Sequence, residues 1–425
     1  MRISKARLIG PAGNEVYAAT AVALSFFVFA YSFRFGQVSI LAYYALWLPL
    51  VAVDYRRVLG NYARYLWIFA FALIACLSVF WSQAPGATAR AAVQYLSHVV
   101  CALIAMRVVD TRGLVRGGLI GTVLVLLYSL AFGAYHLDPL DGTYSFVGAF
   151  ASKNQLGFYA SLAVLLAVAA LLLETGGRLW RLISLGCIAI ALYCLFASQS
   201  ATSVLTTAAI VALCVALRGL ELLTPAHRRM LFLVLAVLGL LGLVAAAYGG
   251  GYEMVLGAFG KDATLTGRTY LWQQGIAAAR EAPLVGIGYQ AFWVPGFAEA
   301  ERLWDAFFIG TRSGFHFHNT FIAAAVETGL IGALLLVLVL VVVLAGHLRR
   351  FLSAAHDREA LVLFALAALL ALRAFVEVDI LNPYHVGSFL FYVCAGKLAD
   401  TRREPVARPS RGRRRVAHGE GGAPA

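Results

Sequence analysis

Twelve apolar runs of roughly 15 to 28 residues follow one another along this chain, most of them long enough to cross about 30 Å of hydrocarbon as a helix or nearly so. They lie near 16–33, 37–53, 65–82, 91–109, 114–135, 156–173, 179–197, 201–217, 229–248, 319–346, 359–380 and 384–398. Composition agrees with the pattern. The 425 residues are 61% hydrophobic and 13% charged, whereas soluble domains carry about 25% charged residues. The expected fold class is all-α, a polytopic integral membrane protein with about twelve transmembrane helices. Met1 to Arg7 resembles the start of a signal peptide, but the run that follows is long and no clear small-residue cleavage site ends it. It reads as a retained first span.

Short basic loops stay cytoplasmic, and here the cations separate cleanly by connection. One alternating set holds Arg2, Lys5 and Arg7, then Arg56, Arg57 and Arg64, then Arg107, Arg112 and Arg116. The same set continues with Arg178 and Arg181, with Arg218, Arg228 and Arg229, with Arg349, Arg350 and Arg358, and with Lys397 and the tail arginines. The short connections of the other set hold only Arg34, Arg90 and Lys153. Both termini are therefore expected in the cytoplasm, and the stretch at about 249–317 becomes one large loop on the opposite face. The expected divisions are a cytoplasmic amino terminus at 1–15, a membrane domain at 16–398 and a basic, disordered tail at 399–425. The tail is expected to rest on anionic headgroups. This placement accounts for the net charge of +13 without a nucleic-acid partner. Cys76, Cys101, Cys187, Cys194, Cys214 and Cys394 all fall inside predicted spans, so they read as small packing residues rather than a disulfide framework.

A chain this apolar has few places for aqueous chemistry, which directs attention to the large loop. The pattern Tyr270, Leu271, Trp272, Ile276, Ala279 predicts a short amphipathic helix lying on the membrane surface, entered through Thr266-Gly267. Arg268 falls in its first turn, where a cation opposes the helix dipole unless an anion binds there. Pro283 to Gly288 ends the helix in a tight turn; Gly286-Ile287-Gly288 has no preceding strand and no P-loop lysine, so it carries little nucleotide signal. His318 stands at the outer mouth of the next span, where an imidazole can take a proton from a hydroxyl. His316 can do the same. No third His, Cys or paired carboxylate lies near them in sequence and no Asp-x-Asp occurs, so no metal is expected.

Other polar clusters share the outer face. Ser152-Lys153-Asn154-Gln155 opens the sixth span, and Ser198 to Ser203 links the seventh to the eighth. Lys153 at a span mouth calls for an anion. Arg373 and Glu377 are spaced i to i+4 in the eleventh span, as for an internal ion pair, with Asp379 following.

These residues carry a resemblance. Ser152-Lys153-Asn154-Gln155-Leu156-Gly157, Ser198-Gln199-Ser200-Ala201-Thr202-Ser203, Gly267-Arg268 with Trp272, Pro283 to Gly288, and His318-Asn319-Thr320 with Glu327-Thr328-Gly329-Leu330-Ile331-Gly332 occur in that order. The set resembles the O-antigen ligase and polysaccharide polymerase superfamily, closely over about 140–340. The resemblance implies a glycosyltransferase of the bacterial inner membrane, acting at the periplasmic face on a glycan carried by undecaprenyl diphosphate. It implies no nucleotide sugar, metal or other cofactor. Catalytic roles fall on Arg268, which engages the diphosphate, and on His318. Lys153, Asn154, Ser200, Arg312, His316, Asn319 and Arg373 are candidate substrate-binding residues. The implied partners are the lipid-linked oligosaccharide, membrane lipids, a flippase and a chain-length regulator. Ligases of the superfamily often carry an arginine in the segment matching Ser198 to Ser203, and this chain has none. It therefore looks more like exopolysaccharide polymerases, with O-antigen ligase as the alternative. A lipid-linked oligosaccharide flippase or transporter is the alternative from a different class, although no half-repeat is visible.

Overall fold

A computed structural model describes residues 5–11, 13–60, 62–137, 142–173, 177–249, 267–354 and 356–401. The tail beyond 401 and the part of the large loop at 250–266 lie outside the described residues. Helices α1 (Lys5–Ile9), α2 (Glu15–Phe35), α3 (Gln37–Trp47), α4 (Pro49–Val53), α5 (Tyr55–Leu59), α6 (Ala70–Leu77), α7 (Pro85–Val108) and α8 (Thr111–Phe132) form the first half. After them come α9 (Lys153–Leu173), α10 (Arg178–Ala197), α11 (Ala201–Leu220) and α12 (Pro225–Tyr248). The large loop supplies α13 (Arg268–Glu281) and α14 (Ala298–Ala306), and α15 (Thr320–Ser353), α16 (Arg358–Ala374) and α17 (Val386–Thr401) complete the chain.

Among the described residues, eight helices are long and apolar enough to cross a membrane: α2, α7, α8, α9, α10, α11, α12 and α15. The other four expected spans are shorter or broken. The run at 37–53 divides at Leu48, because Pro49 cannot continue the hydrogen-bond ladder of the preceding helix. The run at 65–82 is α6 flanked by 3-10 turns, and α16 and α17 hold 17 and 16 residues.

The described residues are mostly helical, as expected, with one short two-stranded sheet among them. Strands β1 (Ala134–Leu137) and β2 (Tyr144–Gly148) pair antiparallel, Tyr135 opposite Phe146. The run read as a span to 135 ends at Phe132, and the aromatic and β-branched residues beyond it favour a pleated, half-exposed surface.

Close helix approach organises the interior. Gly117 and Gly121 on α8 face α2, where an added Cβ would lie 2.6 Å from the Ala19 carbonyl oxygen and 2.9 Å from the Ala23 Cα. This is small-residue packing typical of membranes. Most of α9 is buried inside the bundle, whereas the candidate-span window of α12 holds no buried residue.

The two ends of the bundle differ chemically. One end gathers Arg107 with Asp400, Arg116 with Glu15, Arg350 with Asp357, and Arg218 and Arg358 around Glu221. Arg228, only 1% exposed, locks that end: its guanidinium donates to the carbonyls of Leu220 at 3.1 Å, Phe351 at 2.8 Å and Ala354 at 2.7 Å. These are carbonyls that helix ends leave without partners. Arg228→Ala is expected to cost about 3 kcal/mol, and Arg228→Lys to recover only part of it because an ammonium lacks the guanidinium's fork. Thermal unfolding of the purified protein checks this; equal melting of parent and Arg228→Ala would remove the lock.

A break in α15 positions the other end. Gly329 has φ 65° and ψ −174°, so the ladder stops there. Pro283 to Gly288 lies against the gap. Ile287 and Gly288 amides donate to the Val326 and Glu327 carbonyls at 3.1 and 2.9 Å, while Leu330 and Ile331 amides donate to the Pro283 and Leu284 carbonyls at 2.8 and 3.2 Å. The expected tight turn is thus also the backbone partner of a broken helix, which a membrane protein requires wherever a ladder opens. Trp81 and Gln83 hold its far side through Val285 and Ile287 carbonyls.

Candidate active site

Three segments distant in sequence converge on one carboxylate. Helix α16 ends at Ala374, and the turn closed by Val376 and Glu377 amides on the Arg373 carbonyl swings Glu377 off the helix axis. Its side chain is only 6% exposed. Glu377 Oε1 accepts from Arg268 Nη2 at 2.9 Å and from Asn154 Nδ2 at 2.9 Å. His318 Nδ1 lies 3.4 Å away, and His316 Nε2 lies 3.8 Å from Oε2. The i to i+4 pair expected between Arg373 and Glu377 does not form, because the helix stops between them.

Each partner is fixed locally. Arg268 opens α13 after Gly267, whose φ of 80° suits glycine and whose absent Cβ leaves room for the Phe307 ring. Its Nη1 also donates to Thr202 Oγ1 at 3.2 Å. The anion that a first-turn arginine calls for is here the carboxylate of Glu377. Asn154 Oδ1 accepts from Ser200 Oγ at 2.9 Å, and Ser200 in turn caps α11. His318 sits in the left-handed region at φ 51°, an uncommon conformation for a residue with a Cβ. Its amide donates to His316 Nδ1 at 3.0 Å, so one imidazole holds the backbone that aims the other.

Beneath this hub lies a second ionic layer. Arg373, 1% exposed, pairs with Asp379, donates to Ser203 Oγ at 3.2 Å and stacks over the Phe158 ring at 4.2 Å. It supports the site from below. Three expected binding residues stand at the edge instead. Lys153 Nζ donates to Thr143 Oγ1 at 2.9 Å, Arg312 pairs with Glu301 at 3.0 Å, and Asn319 caps α15 while donating to the Phe375 carbonyl.

Burial alone would raise the Glu377 carboxyl, but His318 and Arg268 outweigh it and hold the group below the ordinary carboxylate range. Burial, with His318 adding to it, holds the His316 imidazole below its usual value, so it stays neutral. With Nδ1 facing a carboxylate, His318 is set to present Nε2 as an acceptor.

His316, His318 and Glu377 offer three ligand atoms within 4.8 Å of one another, a grouping that the sequence did not foresee because the carboxylate lies 59 residues beyond His318. Arg268 and Asn154 take Oε1 of the carboxylate, whereas Oε2 lies 3.8 Å from His316 Nε2 and 3.4 Å from His318 Nδ1.

The helical bundle thus gathers an arginine, a histidine and their carboxylate at one end, remote from its basic end. A family model described as O-antigen ligase matches residues 186–337. The chain is 64% identical over 407 residues to the exopolysaccharide production protein ExoQ of Rhizobium meliloti (strain 1021), covering 96% of this chain and 94% of that one. The chain belongs to the O-antigen ligase family, whose activity is glycosyl transfer of the ligase or polymerase type.

Proposed function

We propose that the protein polymerises undecaprenyl-diphosphate-linked repeat units into exopolysaccharide at the periplasmic face of the bacterial inner membrane, with both termini cytoplasmic and about twelve membrane crossings. The observation that carries this reading is the convergence of Arg268 and His318 on Glu377, at the end of the bundle opposite the basic connections.

In this reading an acceptor hydroxyl attacks the anomeric carbon of the donor glycan. The carbon–oxygen bond to the lipid diphosphate breaks, and the leaving group departs with the electron pair. Arg268 exchanges Glu377 for the diphosphate, whose developing charge a fixed guanidinium stabilises strongly in a poorly hydrated site. Lys153 adds a second cation at the rim. His318 Nε2 takes the hydroxyl proton, and Glu377 fixes the ring and stabilises the imidazolium that forms. No metal step is needed.

The close likeness to a protein of exopolysaccharide production supports polymerase over ligase. Broken helices also occur in transporters, but the open carbonyls at Gly329 are taken by Pro283 to Gly288, which leaves no ion site there. Deletion of the gene is expected to abolish long exopolysaccharide while lipopolysaccharide stays normal. Loss of O-antigen capping with polymer accumulating on lipid would point to the ligase, and intermediates held on the cytoplasmic side to a transporter. Transfer by the purified protein is expected to persist in EDTA; a loss that Mg²⁺ restores would overturn the metal-free chemistry.

A further inference from the structure

Among the described residues, His316, His318 and Glu377 form the one grouping of histidine, cysteine and carboxylate side chains close enough to hold a metal ion. Glu377 Oε2 lies 3.4 Å from His318 Nδ1 and 3.8 Å from His316 Nε2, and all three atoms lie within 4.8 Å of one another. A tetrahedral Zn²⁺ with bonds of about 2.0 to 2.2 Å sets its ligands about 3.3 Å apart. Small rotations of the two rings close that gap. Arg268 and Asn154 occupy Oε1, so they hold the carboxylate in place and leave Oε2 to the ion. The two histidine side chains are 27% and 20% exposed, which lets an ion enter from the aqueous side.

The donor set selects the metal. Two imidazole nitrogens with one carboxylate oxygen suit Zn²⁺, whereas Mg²⁺ and Ca²⁺ take oxygen ligands. What such an ion does follows from the tautomers, because a neutral imidazole carries a single proton. To act as a base, His318 needs that proton on Nδ1, facing Glu377, and a free lone pair on Nε2. A metal on Nδ1 takes the lone pair there, so the proton moves to Nε2. The atom that accepts the hydroxyl proton has then become a donor. His316 shifts in the opposite sense: its Nδ1 accepts from the His318 amide at 3.0 Å, and coordination through Nε2 sends its proton to Nδ1 and breaks that bond. Both rings stay neutral and no proton leaves the site. The ion thus disarms the base and releases the backbone that aims it.

We propose that His316, His318 and Glu377 form an inhibitory Zn²⁺ site, in which the ion holds the base in the wrong tautomer. Zn²⁺ is here a regulator of transfer and not its cofactor. The inhibition rests on the reading of His318 as the base, whereas binding of the ion does not. Arg268, on the same carboxylate, repels a second cation, so the site fills and empties rather than forming a permanent structural centre.

Zn²⁺ binding is measured on the full-length protein in nanodiscs, with no donor present, by competition with a chromophoric chelator. His316→Gln, His318→Gln and Glu377→Gln are each expected to weaken binding by about 10- to 100-fold or more, since even an outer partner of a metal site contributes that much. His136→Gln, on the exposed strand β1, is the control and is expected to bind as the parent does. Parental affinity in the site variants that melt as the parent does means an adventitious ion only and overturns the site. Transfer by the parent is expected to fall by about 10-fold or more as the site fills, to recover in EDTA and to ignore Mg²⁺. An unchanged rate with the site filled overturns the inhibition, and a faster one makes the ion a cofactor and overturns it too. Should the parent transfer nothing, the donor reading falls and the inhibition with it, while the binding series still decides the site.

Discussion

Glycan transfer is expected to fall by about 10²- to 10⁴-fold when His318 is replaced by alanine, the range a positioned general base contributes. Glu377→Gln is expected to lose about 10²-fold or more, because the amide keeps the shape but neither fixes the imidazole nor stabilises its charged form. The double variant discriminates between the roles. If Glu377 acts through His318, combining the two lowers the rate no further than His318→Ala alone. Rates are read from purified protein with a lipid-linked donor, after each variant is shown to insert and to melt as the parent does. Parental transfer by His318→Ala would remove the base, and additive losses would give Glu377 a separate role, such as holding Arg268.

The second large effect concerns folding. A Cβ at Gly329 would lie 2.2 Å from the backbone carbon and oxygen of Leu284 and 2.3 Å from the Val285 nitrogen. Those atoms belong to the strip that closes the helix break and cannot yield without opening its four hydrogen bonds. The φ of 65° adds about 1–2 kcal/mol for any other residue. Gly329→Ala is therefore expected to destabilise by about 3–5 kcal/mol and to deplete the protein from membranes. Gly186→Ala is the control: it lies inside α10 with nothing within 4 Å of the added methyl, so it should be neutral or slightly stabilising. Parental melting of Gly329→Ala would mean that the break is not closed in this way.

The sequence revealed the membrane class, most helix positions and the groups with obvious chemistry, because length, hydropathy and charge are local properties. Arg268, His318, Asn154 and Ser200 were all legible, and the structure joins them. Glu377 was legible only as a partner for Arg373, since helical spacing is a rule about neighbours and says nothing once a helix ends. Its true partner lies 109 residues upstream. Pro283 to Gly288 read as a turn for the same reason: its hydrogen-bond partners are carbonyls and amides exposed by a break some 40 residues on, and backbone groups leave no trace in composition. Lys153, Arg312 and Asn319 were singled out as polar groups in the right place, yet two of them are absorbed in local pairing and capping. The hairpin at Ala134 to Gly148 escaped because hydropathy does not distinguish a helix end from a short strand.

The convergence on Glu377 also sets an order of events during synthesis. The chain emerges from its amino terminus, so Asn154 precedes the carboxylate that fixes it by 223 residues and Arg268 precedes it by 109. Until α16 is seated, the growing protein carries cations and histidines without the group that aligns them. In the proposed mechanism a half-inserted chain has neither its base nor its cation aimed, so transfer is expected only once insertion is complete.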